Sequence, residues 1–246
     1  MKAMVLAAGL GTRLRPLTND RPKALVTLHG RTLLEICLER LRSFGVSEAI
    51  VNTHHFADKI ADYLGAHGNF GMRIEISREA ALLDTGGGLK QAAWFFLEGA
   101  DRDQPFLVHN VDVAGDIDLG HLLREHRESG ALATLAVQNR ATSRYLLFDG
   151  DGLLCGRRAG RDGEPEMVRA VDHPQPLAFC GIHAVSPRLL TLLDEEGAFP
   201  IVPAYLRLAA RGEKIAAFRA DAYRWRDLGR AESLLSAEKE LRAGGW

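Results

Sequence analysis

The chain has 246 residues, 46% of them apolar and 26% charged, with a net charge of −1. This is ordinary globular composition, long enough to bury a sizeable core, and it excludes a globally basic nucleic-acid binder. No apolar run approaches the roughly 20 residues a membrane helix needs, and residues 1–6 enter a strand-like run with no cleavage region, so a cytoplasmic protein without membrane or nucleic-acid partners is expected.

Residues 2–7 read as a strand. Residues 32–44 read as a helix with Leu34, Cys37, Leu38 and Leu41 on one face, a Thr32/Glu35 capping box and Gly45 at its stop. Residues 49–53 are the next strand, 57–64 a helix and 72–77 a strand. A helix over 85–97 carries a stripe of Leu89, Ala92, Ala93 and Phe96. Then come a strand at 105–109, a helix at 118–129 between Asp118 and Gly130, and a fully buried strand at 131–137.

This alternation predicts an α/β fold with a mostly parallel central sheet, helices on both faces, and ligands beyond the carboxyl ends of the strands. In the second half, Asp149-Gly150-Asp151-Gly152 turns a hairpin between 144–149 and 152–157. A strand follows at 177–185. Ser186-Pro187 opens a helix that Gly197 closes, and helices near 202–210 and 231–241 bracket a strand at 215–219. Residues 158–173 read as a mobile loop. With no linker or repeat, residues 1–246 read as one domain.

Cys37, Cys155 and Cys180 are odd in number and without a CxxC pair, which predicts buried thiols and no disulfide or zinc site. His121 and His126 stand at i, i+5, off the spacing of a zinc helix, and His54-His55 read as packing or surface residues.

The chemistry concentrates after the first strand, in Leu6-Ala7-Ala8-Gly9-Leu10-Gly11-Thr12-Arg13-Leu14-Arg15-Pro16-Leu17-Thr18, continuing to Arg21-Pro22-Lys23. Gly9 and Gly11 bring backbone N–H groups close to whatever binds, forming a nest for an anion. Arg13, Arg15, Arg21 and Lys23 place four cations in one loop of a nearly neutral chain, as a polyphosphate would need. A dinucleotide fingerprint is excluded because position 14 is Leu, and a P-loop because Gly11 is followed by Thr12-Arg13. A second glycine run, Asp84-Thr85-Gly86-Gly87-Gly88, opens a predicted helix at a cost of about 1 kcal/mol per interior glycine, which close approach of a ligand to the backbone would explain.

The opening motif, from residue 5 to Pro22-Lys23, resembles the sugar-phosphate nucleotidyltransferase family nearly throughout. The whole chain is similar to its short bacterial form, without the β-helix extension of longer relatives, as in muramate 1-phosphate uridylyltransferases and short mannose-1-phosphate guanylyltransferases. The resemblance implies a Rossmann-like fold whose half 1–138 binds the nucleotide and whose half 139–246 binds the acceptor. It also implies transfer of a nucleoside monophosphate from an NTP to a sugar 1-phosphate, with release of pyrophosphate. Gly9, Gly11, Thr12 and Arg13 would wrap the triphosphate, with Arg13 on the leaving pyrophosphate. Lys23 would bridge the α-phosphate and the incoming phosphate. The backbone of Leu6, Ala7 and Ala8 would meet the base, and Thr85, Gly86 and Gly87 base and ribose.

His109-Asn110-Val111-Asp112 and Trp225-Arg226-Asp227-Leu228-Gly229 resemble the family's two metal-binding segments, with Val111 and Arg230 as departures from Gly and Thr. They imply that Asp112 and Asp227 converge on Mg²⁺, which favours one or two carboxylates completed by phosphate and water. Without metal or ligand the two carboxylates are expected to repel each other. Asn110 and the 179–182 strand, Gly181 included, are expected on the acceptor side. The Glu-Lys-Pro motif that holds the sugar phosphate in longer relatives is missing at 170–174, leaving Arg144 and Arg169 as candidates on charge. An acceptor phosphate is already anionic near neutral pH, so no general base is needed. As a loop lysine, Lys23 is expected to contribute little to stability.

Two other readings stand beside this one. A cytidylyltransferase acting on an aminoalcohol phosphate such as phosphocholine would need an aromatic or acidic cage. A non-catalytic module binding a nucleotide sugar would have no need of Lys23, Asp112 and Asp227. The expected partners are small molecules, and the expected state is monomer or homodimer.

Overall fold

The computed structural model describes residues 1–99 and 103–243. The first half comprises β1 (Lys2–Leu6), β2 (Thr27–Leu28), β3 (Arg31–Thr32), α1 (Leu33–Ser43), β4 (Glu48–Thr53), α2 (Ala57–Ala66), β5 (Arg73–Arg78), α3 (Asp84–Gln91), α4 (Ala93–Leu97), β6 (Phe106–Asn110), β7 (Val113–Gly115), α5 (Leu119–Ser129) and β8 (Ala133–Gln138). The second half comprises β9 (Arg144–Phe148), β10 (Leu154–Ala159), β11 (Pro165–Met167), β12 (Gln175–Val185), α6 (Arg188–Thr191), α7 (Ile201–Ala210), β13 (Ile215–Arg219), β14 (Trp225–Asp227) and α8 (Ala231–Arg242).

Ten strands among the described residues form one sheet in the order β11-β10-β9-β12-β6-β1-β4-β5, with β8 beside β12 and β13 beside β8. Following the pairings, only β10 and β12 run against the common direction, so the sheet is mostly parallel as the sequence predicts. Side chains alternate across the central strand. Ala3 and Val5 enter a core with Leu34, Leu38, Leu122 and Leu234, from α1, α5 and α8. Met4 enters the core on the other face, with Leu89, Phe96, Tyr205 and Leu208, from α3, α4 and α7. Cys37, Cys155 and Cys180 are free and buried, and burial pushes their thiols up to about 12, 11 and 12.

Local signals set the well-read boundaries. The Thr32 side chain accepts from Glu35 N at the start of α1, and Asp118 accepts from His121 N at the start of α5, which Gly130 ends at φ 61°. Elsewhere tertiary contacts override the local pattern. The helix expected over 85–97 breaks at Ala92, where Phe95 and Phe96 both turn into the core and Phe96 stacks on Phe106. The helix expected from Ser186 to Gly197 survives only as α6, because the chain then turns to lay Gly197 and Phe199 against α3. The expected loop 158–173 contains β11, an edge strand paired with β10.

β12 joins the two parts of the sheet. Its first residues pair with β9 and its last with β6 and β8, while the register between Phe179 and His183 is irregular around Gly181. Beyond the carboxyl edge of β6, β12 therefore carries β9, β10 and β11 as a continuation of the sheet.

Candidate active site

Leu6, Asn52 and Asn110 sit side by side where β1, β4 and β6 end, and the loop after β1 leaves from this edge. The Ala7 N–H donates to Asn52 Oδ1 (2.7 Å), Asn52 Nδ2 donates to Glu79 Oε1 (2.6 Å), and the Leu83 N–H donates to Glu79 Oε2 (2.9 Å). This buried chain ties the first glycine loop to the second. Sequence reasoning missed Asn52 and Glu79. The available signal was a polar Asn inside the apolar run of β4.

Gly11 adopts φ +65°, and a Cβ there would lie 3.0 Å from both Lys23 Cβ and Thr18 Cγ2. Thr18 Oγ1 closes the loop by donating to the Gly11 carbonyl (2.9 Å). A Cβ on Gly9 would lie 3.7 Å from Lys23 Nζ, so the lysine runs beneath the glycine loop. Of the four cations, Lys23 bonds one of the carboxylates described next and Arg13 Nη2 comes close to the glycine between them, whereas Arg21 pairs with its neighbour Asp20 and Arg15 is exposed.

Asp112 follows β6, and Asp227 ends β14. The antiparallel pair β7–β14, which the sequence did not reveal, matches Asp227 with Val113 and so carries the second carboxylate to the first. The point of convergence is marked by Gly229. A Cβ built there would lie 2.5 Å from Asp112 Oδ2, 2.8 Å from Asp227 Oδ1 and 3.2 Å from Arg13 Nη2. The Gly229 N–H holds Asp227 Oδ1 (2.7 Å), and the Leu228 N–H holds the Asp112 carbonyl (2.8 Å). Lys23 Nζ bonds Asp112 Oδ2 at 2.8 Å. Lys23 thus sets a cation against the repulsion expected between two bare carboxylates. Val111, where the family motif has Gly, packs into the core and leaves this geometry intact.

The second glycine run has its own structural cause. The N–H groups of Gly86 and Gly87 both donate to the Phe199 carbonyl (2.9 and 3.1 Å). A Cβ on Gly86 would lie 2.4 Å from the Phe199 ring, and one on Gly87 2.5 Å from the Gly197 carbonyl. Close approach occurs here, to another segment of the chain. Thr85 Oγ1 accepts from Ile201 N (3.0 Å) at the start of α7. In the segment expected to meet the base, the Ala7 N–H is taken by Asn52 and the Leu6 carbonyl by Val111 N.

On the other side of the carboxylates, Gly181 at φ +72° makes room for Asn110, whose Nδ2 would be 2.7 Å from a Cβ at that position. Arg169 is paired with Asp149 (3.2 Å), and Arg144 lies exposed at the start of β9. Arg140, absent from the sequence-based candidates, is the arginine the fold brings to this face. Its Cζ lies 3.7 Å from the Trp225 ring centroid, and Nη2 donates to the Phe179 carbonyl (2.9 Å).

A loop of glycine amides and cations beside two converging carboxylates, on the carboxyl edge of a mostly parallel sheet, defines a nucleotidyltransferase. Residues 2–148 match the family described as Nucleotidyl transferase, and the chain belongs to it as a sugar-1-phosphate nucleotidyltransferase. It is 34% identical, over 97% of its length and 96% of the relative's, to the N-acetylmuramate alpha-1-phosphate uridylyltransferase of Caulobacter vibrioides. It is 29% identical over 96% of its length to a mannose-1-phosphate guanyltransferase of Yarrowia lipolytica, of which it spans 62%. In fold it is similar to an apo UDP-glucose pyrophosphorylase (TM-score 0.80, 16% identity, 100% and 99% of the two chains) and to HddC from Yersinia pseudotuberculosis complexed with GMP-PN (TM-score 0.73, 21% identity, 98% and 99%). Among the described residues no helix is long and apolar enough to cross a membrane.

Proposed function

We propose that the chain transfers UMP from UTP to a sugar 1-phosphate of the N-acetylmuramate α-1-phosphate kind, with Mg²⁺, releasing pyrophosphate. The observation that carries the chemistry is the meeting of Asp112, Asp227, Arg13 and Lys23 around Gly229. The uridylyl and muramyl assignment is supported by the end-to-end similarity to the Caulobacter vibrioides enzyme.

The donor set suits Mg²⁺. Two carboxylate oxygens share one small space at Gly229, and no group of three or more His, Cys, Asp or Glu gathers among the described residues. A partial carboxylate set leaves room for phosphate oxygens and water, as Mg²⁺ requires. Asp112 and Asp227 would hold the ion, which when bound neutralises charge on the reacting phosphates.

The chain's own groups do the rest. The amides from Gly9 to Thr12 cradle the triphosphate. Arg13 holds the pyrophosphate as it leaves. Lys23, held at the site by Asp112, would meet the α-phosphate and the incoming phosphate. Leu6–Ala8 and Thr85 flank the base, with Gly86 and Gly87 fixing Thr85 through their packing on Phe199. Asn110 and Gly181 line the acceptor side. The attacking oxygen is already ionised, so catalysis is positioning and charge neutralisation.

The test is pyrophosphate release with UTP, GTP, CTP and dTTP against N-acetylmuramate, N-acetylglucosamine, glucose and mannose 1-phosphates and phosphocholine. UTP with N-acetylmuramate 1-phosphate is expected to give the highest kcat/KM. Preference for GTP with mannose 1-phosphate, or turnover with phosphocholine alone, overturns the assignment.

A further inference from the structure

The acceptor's phosphate needs a receptor on the side of the carboxylates away from the triphosphate loop. The cations near that side are accounted for one by one. Lys23 is bonded to Asp112, Arg169 to Asp149, and Arg144 is exposed at the start of β9. Arg158, in β10, lies over Tyr145 and its Nε too is buried without a hydrogen-bond partner, but β9 separates β10 from β12.

Arg140 differs from all of these in where it stands. It lies in the connection from β8 to β9, at the carboxyl end of β8, and its guanidinium stacks on Trp225, two residues before Asp227. Two successive carbonyls of β12 hold the stack in place: Phe179 accepts from Arg140 Nη2 (2.9 Å) and Cys180 from Trp225 Nε1 (2.7 Å). Gly181, which shelters Asn110, comes next. The Nε of Arg140 is buried without a hydrogen-bond partner, and among the described residues no carboxylate lies within ion-pair distance of its guanidinium. Burial lowers its pKa, while the neighbouring Cys180 and then the charge of Asp227 act in the opposite direction.

A partly desolvated guanidinium with no carboxylate partner is costly to keep unless an anion arrives to offset its charge. The stack on Trp225 fixes the plane of the fork, which suits bidentate binding of phosphate oxygens. We propose that Arg140 binds the phosphate of the incoming sugar 1-phosphate and holds it in line beside Asp227. This rests on the reading of the site as a sugar 1-phosphate transferase.

The experiment compares Arg140→Gln and Arg140→Lys with the unaltered protein. KM for each substrate is measured, together with calorimetric binding of N-acetylmuramate 1-phosphate and N-acetylglucosamine 1-phosphate in the presence of a non-hydrolysable UTP analogue. Arg140→Gln should weaken both acceptors alike, by about 30- to 100-fold, with KM for UTP within about twofold. Arg140→Lys should recover part of the loss, and free guanidinium should partly rescue Arg140→Gln. Equal rises in both substrates' KM would mean that Arg140 only braces Trp225, and would overturn the proposal. Weakened binding of the muramate compound alone would make Arg140 a receptor for its carboxylate, which also overturns it. If the unaltered protein turns over no sugar 1-phosphate, the transferase reading fails by itself; the Arg140 proposal is then judged by calorimetry and fails if acceptor binding is the same in protein and variant.

Discussion

Lys23 Nζ lies 2.8 Å from Asp112 Oδ2, and the two side chains are only 14% and 10% exposed. A loop lysine read from sequence contributes little to folding, but this one neutralises a nearly buried carboxylate beside a second one. Lys23→Ala should therefore lower stability by about 1–3 kcal/mol, the cost of leaving a buried charged group unpaired. It should also lower turnover by about 10²-fold or more, because the cation proposed to meet the reacting phosphates is lost. Denaturant melts and pyrophosphate release on the same preparation check both effects. Unchanged stability with near-normal turnover would remove Lys23 from the site.

Gly229 is the tightest constraint on the proposed metal site. An alanine Cβ would press on Asp112 Oδ2 at 2.5 Å and Asp227 Oδ1 at 2.8 Å, both ends of side chains that can swing aside. Gly229→Ala should thus fold with a stability loss below about 1 kcal/mol yet separate the carboxylates. The expected result is a large rise in the Mg²⁺ concentration needed for half-maximal activity. An unchanged Mg²⁺ dependence would show that the two carboxylates do not share one ion.

What the sequence revealed and what it hid follow from distance along the chain. The Gly9–Lys23 loop, the capped helices α1 and α5 and the buried central strands are local patterns, and each appears where its residues predict. The β7–β14 pair is only three residues long on each side and joins segments more than a hundred residues apart, so no periodicity announces it. Yet it is what makes Asp112 and Asp227 neighbours, an outcome expected only through family resemblance. Arg140 was passed over because an arginine in a turn looks solvated until Trp225 arrives beneath it. For Gly86 and Gly87 the sequence shows that something approaches the backbone, and only the fold shows that Phe199 and Gly197 do.

That packing gives a separate test. A methyl group on Gly86 would meet the Phe199 ring at 2.4 Å and its carbonyl at 2.9 Å, and the carbonyl cannot move without α3 and the 197–199 segment moving apart. Gly86→Ala should cost about 1–3 kcal/mol by overpacking and lower Tm, with KM for the nucleotide rising through displacement of Thr85. A raised nucleotide KM at unchanged Tm would argue instead that Gly86 touches the ligand directly.

Three buried histidines make stability depend on pH. Burial lowers His109 and His126 to about 4 and His183 to about 3, the last aided by repulsion from His109. His126 Nδ1 meets Thr134 Oγ1 at 2.9 Å and His183 Nδ1 meets the Tyr205 hydroxyl at 2.7 Å, so the neutral rings are built into the core. An unfolded histidine takes up its proton near pH 6.5, well before these do in the folded chain. Between those values the unfolded state binds more protons, so stability is fully present above about pH 6.5 and is lost as pH falls toward 4. Each histidine contributes a slope of about 1 kcal/mol per pH unit, in a range where ordinary carboxylates are still largely ionised. Urea midpoints measured from about pH 7 to 5 should fall steadily, and His183→Gln should flatten the slope by about a third. A flat midpoint across that range, or an unchanged slope in the variant, would mean that the histidines are charged or solvated in the folded protein.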